Sequence, residues 1–278
     1  MRDRAVFLNA LELEDPAARA AYLDNACINQ ADRRRVEDLL WSHTTAGDFL
    51  NVPVMEQVGA AERALSYLKP DEDPESLGRL DHYQVIGVVG RGSTGVVLKV
   101  RDTKLQRDVA VKALVPRLAA RPESRARFVR EAQAAAAIRD VNVVAIYAVS
   151  DDGPVPYLVM EFIDGVTLEE LVGRAGPLEL KEILRIGTQT ALGLAAAHAR
   201  GLVHRDIKPA NILIETSPHA RVKLTDFGLA GAADDAGAAP SGMIAGTPMY
   251  MAPEQATGDV IDHRADLFSL GSVIYMMC

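Results

Sequence analysis

At 278 residues, 49% apolar and 24% charged, the chain is long enough to bury one full core and carry a smaller appendage. Its net charge of −8 speaks against a nucleic-acid binder, because phosphate backbones are held by Lys and Arg in excess over acids. Cys27 and Cys278 lie far apart without metal-ligand spacing, which suits a reducing, cytoplasmic setting.

Met1 to Pro16 mixes Arg, Asp and Glu among its apolar residues and holds no continuous apolar run of the kind an export signal needs. Val6 to Leu40 reads as helical. Asp15-Pro16 is a helix start with Pro at the first position, and Val36, Leu39, Leu40 and His43 share one face, a pattern of packing rather than of a site. Residues 1–69 are therefore expected to be an all-helical segment, a place for a partner to bind. Lys69 to Ser76 is acidic and punctuated by proline, so residues 70–82 are expected to be an exposed linker to a second domain over 83–278.

From Tyr83 short β-branched runs begin. Tyr83–Val89, Val96–Arg101 and Val109–Leu114 are expected as antiparallel strands, followed by a helix over Ser124–Ile138. Two more strands, Val143–Val149 and Tyr157–Phe162, flank the turn Asp151-Asp152-Gly153-Pro154. Beyond Gly165 the chain turns mainly helical, and Leu180 to Arg200 stops at Gly201, a helix-terminating glycine. The fold class is α+β. Leu267 to Cys278, the longest late apolar stretch, falls well short of the roughly 20 residues that cross a bilayer and reads as a buried helix.

Five motifs carry chemistry. Gly90-Arg-Gly92-Ser-Thr-Gly95 is weak by itself, since dinucleotide-binding folds use the same glycine spacing. Here a strand follows it, Val96 to Val100, so it reads as a hairpin able to bring backbone N–H groups onto phosphates, or as a plain hairpin turn. Lys112 lies within an apolar strand, where an ammonium needs anions. Glu131 shares a helix face with Phe128 and Ala135 and is the candidate carboxylate; the alternative is a solvated Glu131 paired with Arg127. Last come His204-Arg-Asp206-Ile-Lys208-Pro-Ala-Asn211, Asp226-Phe227-Gly228 and Ala252-Pro253-Glu254, in that order.

Together these match the protein-kinase signature set. From Tyr83 to the end the chain resembles the Ser/Thr protein kinase family, most nearly its bacterial members. The resemblance implies a two-lobed fold, ATP and Mg²⁺ as cofactors, and protein Ser/Thr hydroxyls as acceptors. It implies that Asp206 orients the acceptor hydroxyl and takes its proton, that Lys208 steadies the transferring phosphate, and that Thr247 helps to place the acceptor. Asn211 and Asp226 are implied as Mg²⁺ ligands. Lys112, held by Glu131, would grip phosphates beneath Gly90, Gly92 and Gly95. Val89, Val97, Ala110 and Leu213 would line the adenine slot, with the backbone of Glu161 and Ile163 on its edge and Met160 behind. Arg205 is implied as the receiver of an activation-loop phosphate, with Ser241 as the candidate site.

The sequence departs from the family in three places. No base follows Asp-Phe-Gly in Leu229-Ala-Gly231-Ala, which leaves control through Ser241 open. Ala210 stands where kinases that prefer an upstream arginine often carry an acid. The chain stops at Cys278 within what resembles the central helix of the large lobe, so roughly a quarter of the domain is expected to be absent. A second function therefore stays open beside the kinase, that of a nucleotide-binding or interaction module with little transfer activity.

Overall fold

The computed structural model describes residues 65–92, 94–216, 220–227, 248–257 and 259–278, together with Tyr22, Leu23, Ala26 and Arg33. The chain divides into two units, Met1–Arg63 and Ala64–Cys278. In the first unit the four described residues are helical and Leu23 is buried. The helical expectation for the remaining residues up to 64, Cys27 included, lies outside the described residues; residues 65–69 are described and form a turn and a strand bridge instead of helix.

The second unit opens with a six-stranded antiparallel sheet. In chain order its strands are β1 (Gly78–Leu80), β2 (Tyr83–Arg91), β3 (Gly95–Asp102), β4 (Arg107–Leu114), β5 (Ile146–Ser150) and β6 (Tyr157–Glu161). They are ordered β1-β2-β3-β4-β6-β5 in space. Alternation sets the buried face of β3, where Val96, Leu98 and Val100 are buried in turn. Central β4 is covered on both faces and buries Val109 through Leu114 without a break. One cover is α2 (Pro122–Ala136), which follows a short α1 (Pro116–Ala119); α2 starts with proline in its first turn and buries Phe128, Ala132 and Ala135.

Two expectations need correction. Residues 70–82 are not a free linker. β1 pairs with β2, Lys69 bridges to Arg79, and Leu65, Tyr67 and Leu68 pack on the core of the sheet. The acidic, proline-bearing stretch is the turn of this added layer: Asp71 pairs with Arg79 and accepts the Ser76 hydroxyl. The strand expected from Val143 starts only at Ile146. Val143 is instead bridged to Leu224 of the large lobe through its neighbours, Val144 N–H donating to Leu224 O at 2.9 Å and Leu224 N–H to Asn142 O at 2.8 Å. β-branched residues favour extended backbone without choosing the partner strand.

The large lobe contains a second sheet, β7 (Gly165–Thr167), β8 (Ile212–Glu215) and β9 (Val222–Leu224), and the helices α3 (Leu168–Ala175), α4 (Leu180–His198), α5 (Pro253–Thr257) and α6 (His263–Met277). In α4, Ile183, Ile186, Thr190, Leu194 and Ala197 form the buried stripe. Gly193 is required there, since a Cβ would lie 2.9 Å from both Asn142 O and the Leu224 side chain. The chain leaves α4 through Gly201 at φ +73°. α6 buries Leu270, Val273 and Met277 and leaves Leu267, Phe268 and Tyr275 exposed.

Candidate functional site

The two lobes enclose a cleft of about 690 Å³. Its roof is the hairpin between β2 and β3, with Val89, Gly90, Gly92 and Gly95 on the lining and Gly92 N–H bonded to Gly95 O. The three glycines are not equivalent. A Cβ on Gly95 would lie 2.6 Å from Ala113 O, so the fold itself requires that glycine. At Gly90 and Gly92 a Cβ meets only ordinary contacts, so the fold does not require glycine there. Val97, Ala110, Leu213 and Met160 form the apolar part, with Val144, which was not foreseen. Glu161 and Ile163 line the edge where the chain passes from one lobe to the other.

The floor comes from the loop between α4 and β8 and from the end of β9. Asp206 accepts from Lys208 Nζ at 2.8 Å and from Asn211 Nδ2 at 3.0 Å, both on Oδ2. Asn211 Nδ2 also donates to Asp206 O, which leaves its amide oxygen free of the loop's own bonds. The loop is anchored from below by Asp266 on α6. Its carboxylate is buried and accepts the N–H groups of His204 and Arg205, each at 2.8 Å, and faces His198 Nε2 at 2.7 Å. Arg205 is thereby held at φ 65°, a sparsely populated conformation for a non-glycine residue. Buried His204 joins this loop to the next: its Nδ1 accepts Asp206 N–H, so Nε2 is the donor to Thr225 O. Burial lowers its pKa, against the opposing pull of Asp266, so the ring is held neutral. Phe227 packs on it at 4.5 Å between ring centroids.

Lys112 and Asp226 meet across the cleft at 2.8 Å. Burial works to raise the Asp226 carboxyl, but the Lys112 ammonium outweighs it, helped by Lys208, and the group lies below its ordinary range. Here the expected Lys112–Glu131 pair is corrected. Glu131 is outside the cleft lining, and its Oε2 is buried without a hydrogen-bond partner. Burial pushes its carboxyl up to about 7 against the pull of Arg127, Arg205, Arg130 and, weakest, Lys112. The helix face was read correctly; how deep that face sits depends on how α2 docks on the sheet. Thr247, Gly228 and Ser241 lie outside the described residues.

Sequence reasoning also missed Asp164, Thr167 and Glu170, which line the cleft where α3 begins. A readable signal was present. Thr167-x-x-Glu170 is a capping box, each side chain bonding the other's backbone N–H at 3.1 Å.

Residues 83–278 match the model of the protein kinase domain. The chain belongs to that family. It is similar to the serine/threonine-protein kinase PknB of Mycobacterium leprae, 42% identical over 200 residues that make up 70% of this chain and 32% of that protein. A probable serine/threonine-protein kinase of Clostridium acetobutylicum is likewise 42% identical, over 71% of this chain and 30% of its own. The chain thus spans about a third of the length of these relatives. Among solved structures, the kinase domain of Mycobacterium tuberculosis PknI superposes with a TM-score of 0.59 at 30% identity, covering 73% of this chain and 76% of that one. This kinase domain shares with them the curled antiparallel sheet set against a helical lobe. Among the described residues, no helix is long and apolar enough to cross a membrane.

Proposed function

We propose that this chain is an ATP-dependent serine/threonine protein kinase, transferring the γ-phosphate to Ser/Thr hydroxyls of proteins. One observation carries the reading: a carboxylate held by Lys208 and Asn211 faces a Lys112–Asp226 pair inside one cleft, beneath a hairpin whose Gly90 and Gly92 are bare without any need of the fold. Phosphoryl transfer needs positioning and charge neutralisation more than covalent help, and these parts supply both.

Val89, Val97, Ala110 and Leu213 would take the adenine, with the backbone of Glu161 and Ile163 on its edge. Lys112 holds phosphate oxygens. Asp206 keeps Oδ1 for the acceptor hydroxyl, because Oδ2 is occupied by Lys208 and Asn211. It orients that hydroxyl and takes its proton. Lys208 neutralises charge on the group in flight.

The donors on the floor fit Mg²⁺. Asn211 presents an amide oxygen, its nitrogen being spent on Asp206, and Asp226 is kept ionised by Lys112, so both offer the hard oxygens that this ion takes. Held by Asn211 and Asp226, the ion would supply charge neutralisation to the phosphates. The alternative, a nucleotide-binding module without transfer, draws no support from a site in which the acceptor-side carboxylate is already fixed.

The test is transfer of label from γ-labelled ATP to a generic basic protein, with identification of the labelled amino acid. Phosphoserine or phosphothreonine is expected from the parent chain, and a loss of roughly 10²–10⁴-fold for Asp206→Asn with Mg-ATP binding retained. Equal transfer by both chains overturns the reading.

A further inference from the structure

Lys223 has no part in the chemistry above, yet it is the most conspicuous charge in the large lobe. It stands on β9 between Val222 and Leu224, both fully buried, and its own side chain is 8% exposed. An ammonium so enclosed needs a fixed anion. It finds Glu161 Oε2 at 2.8 Å, at the end of β6 where the chain leaves the small lobe.

That end is tied down several times over. Glu161 is in register with Val109 of β4, its N–H donates to Ala145 O at 2.9 Å, and its Oε2 also accepts Ala145 N–H at 3.3 Å. Just beyond, Lys99 of β3 sits over the Phe162 ring at 4.6 Å. Every one of these ties except Lys223 comes from the small lobe or from the strand entering it. Among the described residues Lys223 alone reaches the Glu161 side chain from the large lobe, and it lies opposite Leu213, a residue that lines the cleft.

We propose that Lys223 is a positioning residue for the nucleotide: by holding the Glu161 carboxylate it sets the distance between the Glu161–Ile163 backbone and Leu213, and so the width of the adenine slot. The proposal rests on the kinase reading. Lys223 acts through Glu161 and touches no substrate atom. Its effect falls on the part of the ligand that meets that backbone and spares the phosphates, which are held by other residues.

Calorimetry of the 278-residue chain with ATP and with inorganic triphosphate, each with Mg²⁺, separates the two. In Lys223→Met, whose side chain fills the same space, ATP should bind about tenfold more weakly and triphosphate unchanged. Glu161→Gln should do the same, and the double variant should be no worse than either alone, since the three changes break one interaction. Lys223→Arg, which keeps the charge, should retain most of the affinity. Should Lys223→Met fail to fold, Glu161→Gln on its partly exposed side chain reads out the same pair. Unchanged ATP affinity in Glu161→Gln, parallel loss of ATP and triphosphate, or additive loss in the double variant would each overturn the proposal. If the parent binds ATP no tighter than triphosphate, the adenine reading fails instead, and the proposal with it.

Discussion

Around the loop between α4 and β8 two carboxylates each have more than one partner: Asp206 receives Lys208 and Asn211, and Asp266 receives two backbone N–H groups and faces His198. Around Lys112 the bonding is sparse. Lys112 and Asp226 satisfy each other, and Glu131 keeps a buried oxygen with no partner. The first wall is assembled by the fold alone. The second holds charges that neutralise one another in the absence of phosphate, the condition under which a buried ammonium is tolerated at all. Preorganisation is thus concentrated where proton transfer needs a fixed acceptor, and adaptability where a charged ligand must enter.

The contrast is sharpest in transfer assays with magnesium titration. Asp206→Asn should lose about 10²–10⁴-fold in rate with near-normal Mg-ATP binding, whereas Asp226→Asn should lose the metal-dependent part of that binding. Equal loss of binding in both would merge the two walls into one. Lys112→Met should also abolish transfer while melting close to the parent, because Met keeps the packing of the stem and Asp226 remains partly open to water.

Next in size is the anchor. Asp266→Ala leaves the buried His204 N–H and the part-buried Arg205 N–H without their acceptor and should cost about 2–3 kcal/mol in chemical denaturation, together with activity. A variant that melts like the parent would show that the loop stands without it. The roof gives a smaller contrast. Gly95→Ala should destabilise by about 1–3 kcal/mol, its Cβ meeting Ala113 O, while Gly92→Ala should melt normally and weaken ATP.

The last contrast is a pH dependence. A carboxyl raised from 4.5 to about 7 binds a proton in the folded state that the unfolded chain has already released. Its contribution to stability is whole below about 4.5 and is lost as pH rises through about 7. Glu131→Gln should therefore flatten this part of the stability profile from pH 4.5 to 7 in urea melts; an unchanged slope would mean that Glu131 is solvated.

The sequence by itself determined much of this protein. The alternation of β3, the buried stripe of α4, the glycine that ends it and the residues of the catalytic loop are all local patterns, set by the periods of strand and helix and by the chemistry phosphoryl transfer requires. Only the tertiary structure decided who pairs with whom. It sent Val143 and Val144 to Leu224 rather than to the small-lobe sheet, folded the acidic stretch before Tyr83 into β1 and its turn, gave Lys112 to Asp226 instead of Glu131, and buried Lys223 against Glu161. Each of these joins residues far apart in the chain. Extended backbone, a proline-rich turn or a buried charge states a need that several partners can meet, and the choice among them is made by packing, which no local pattern records.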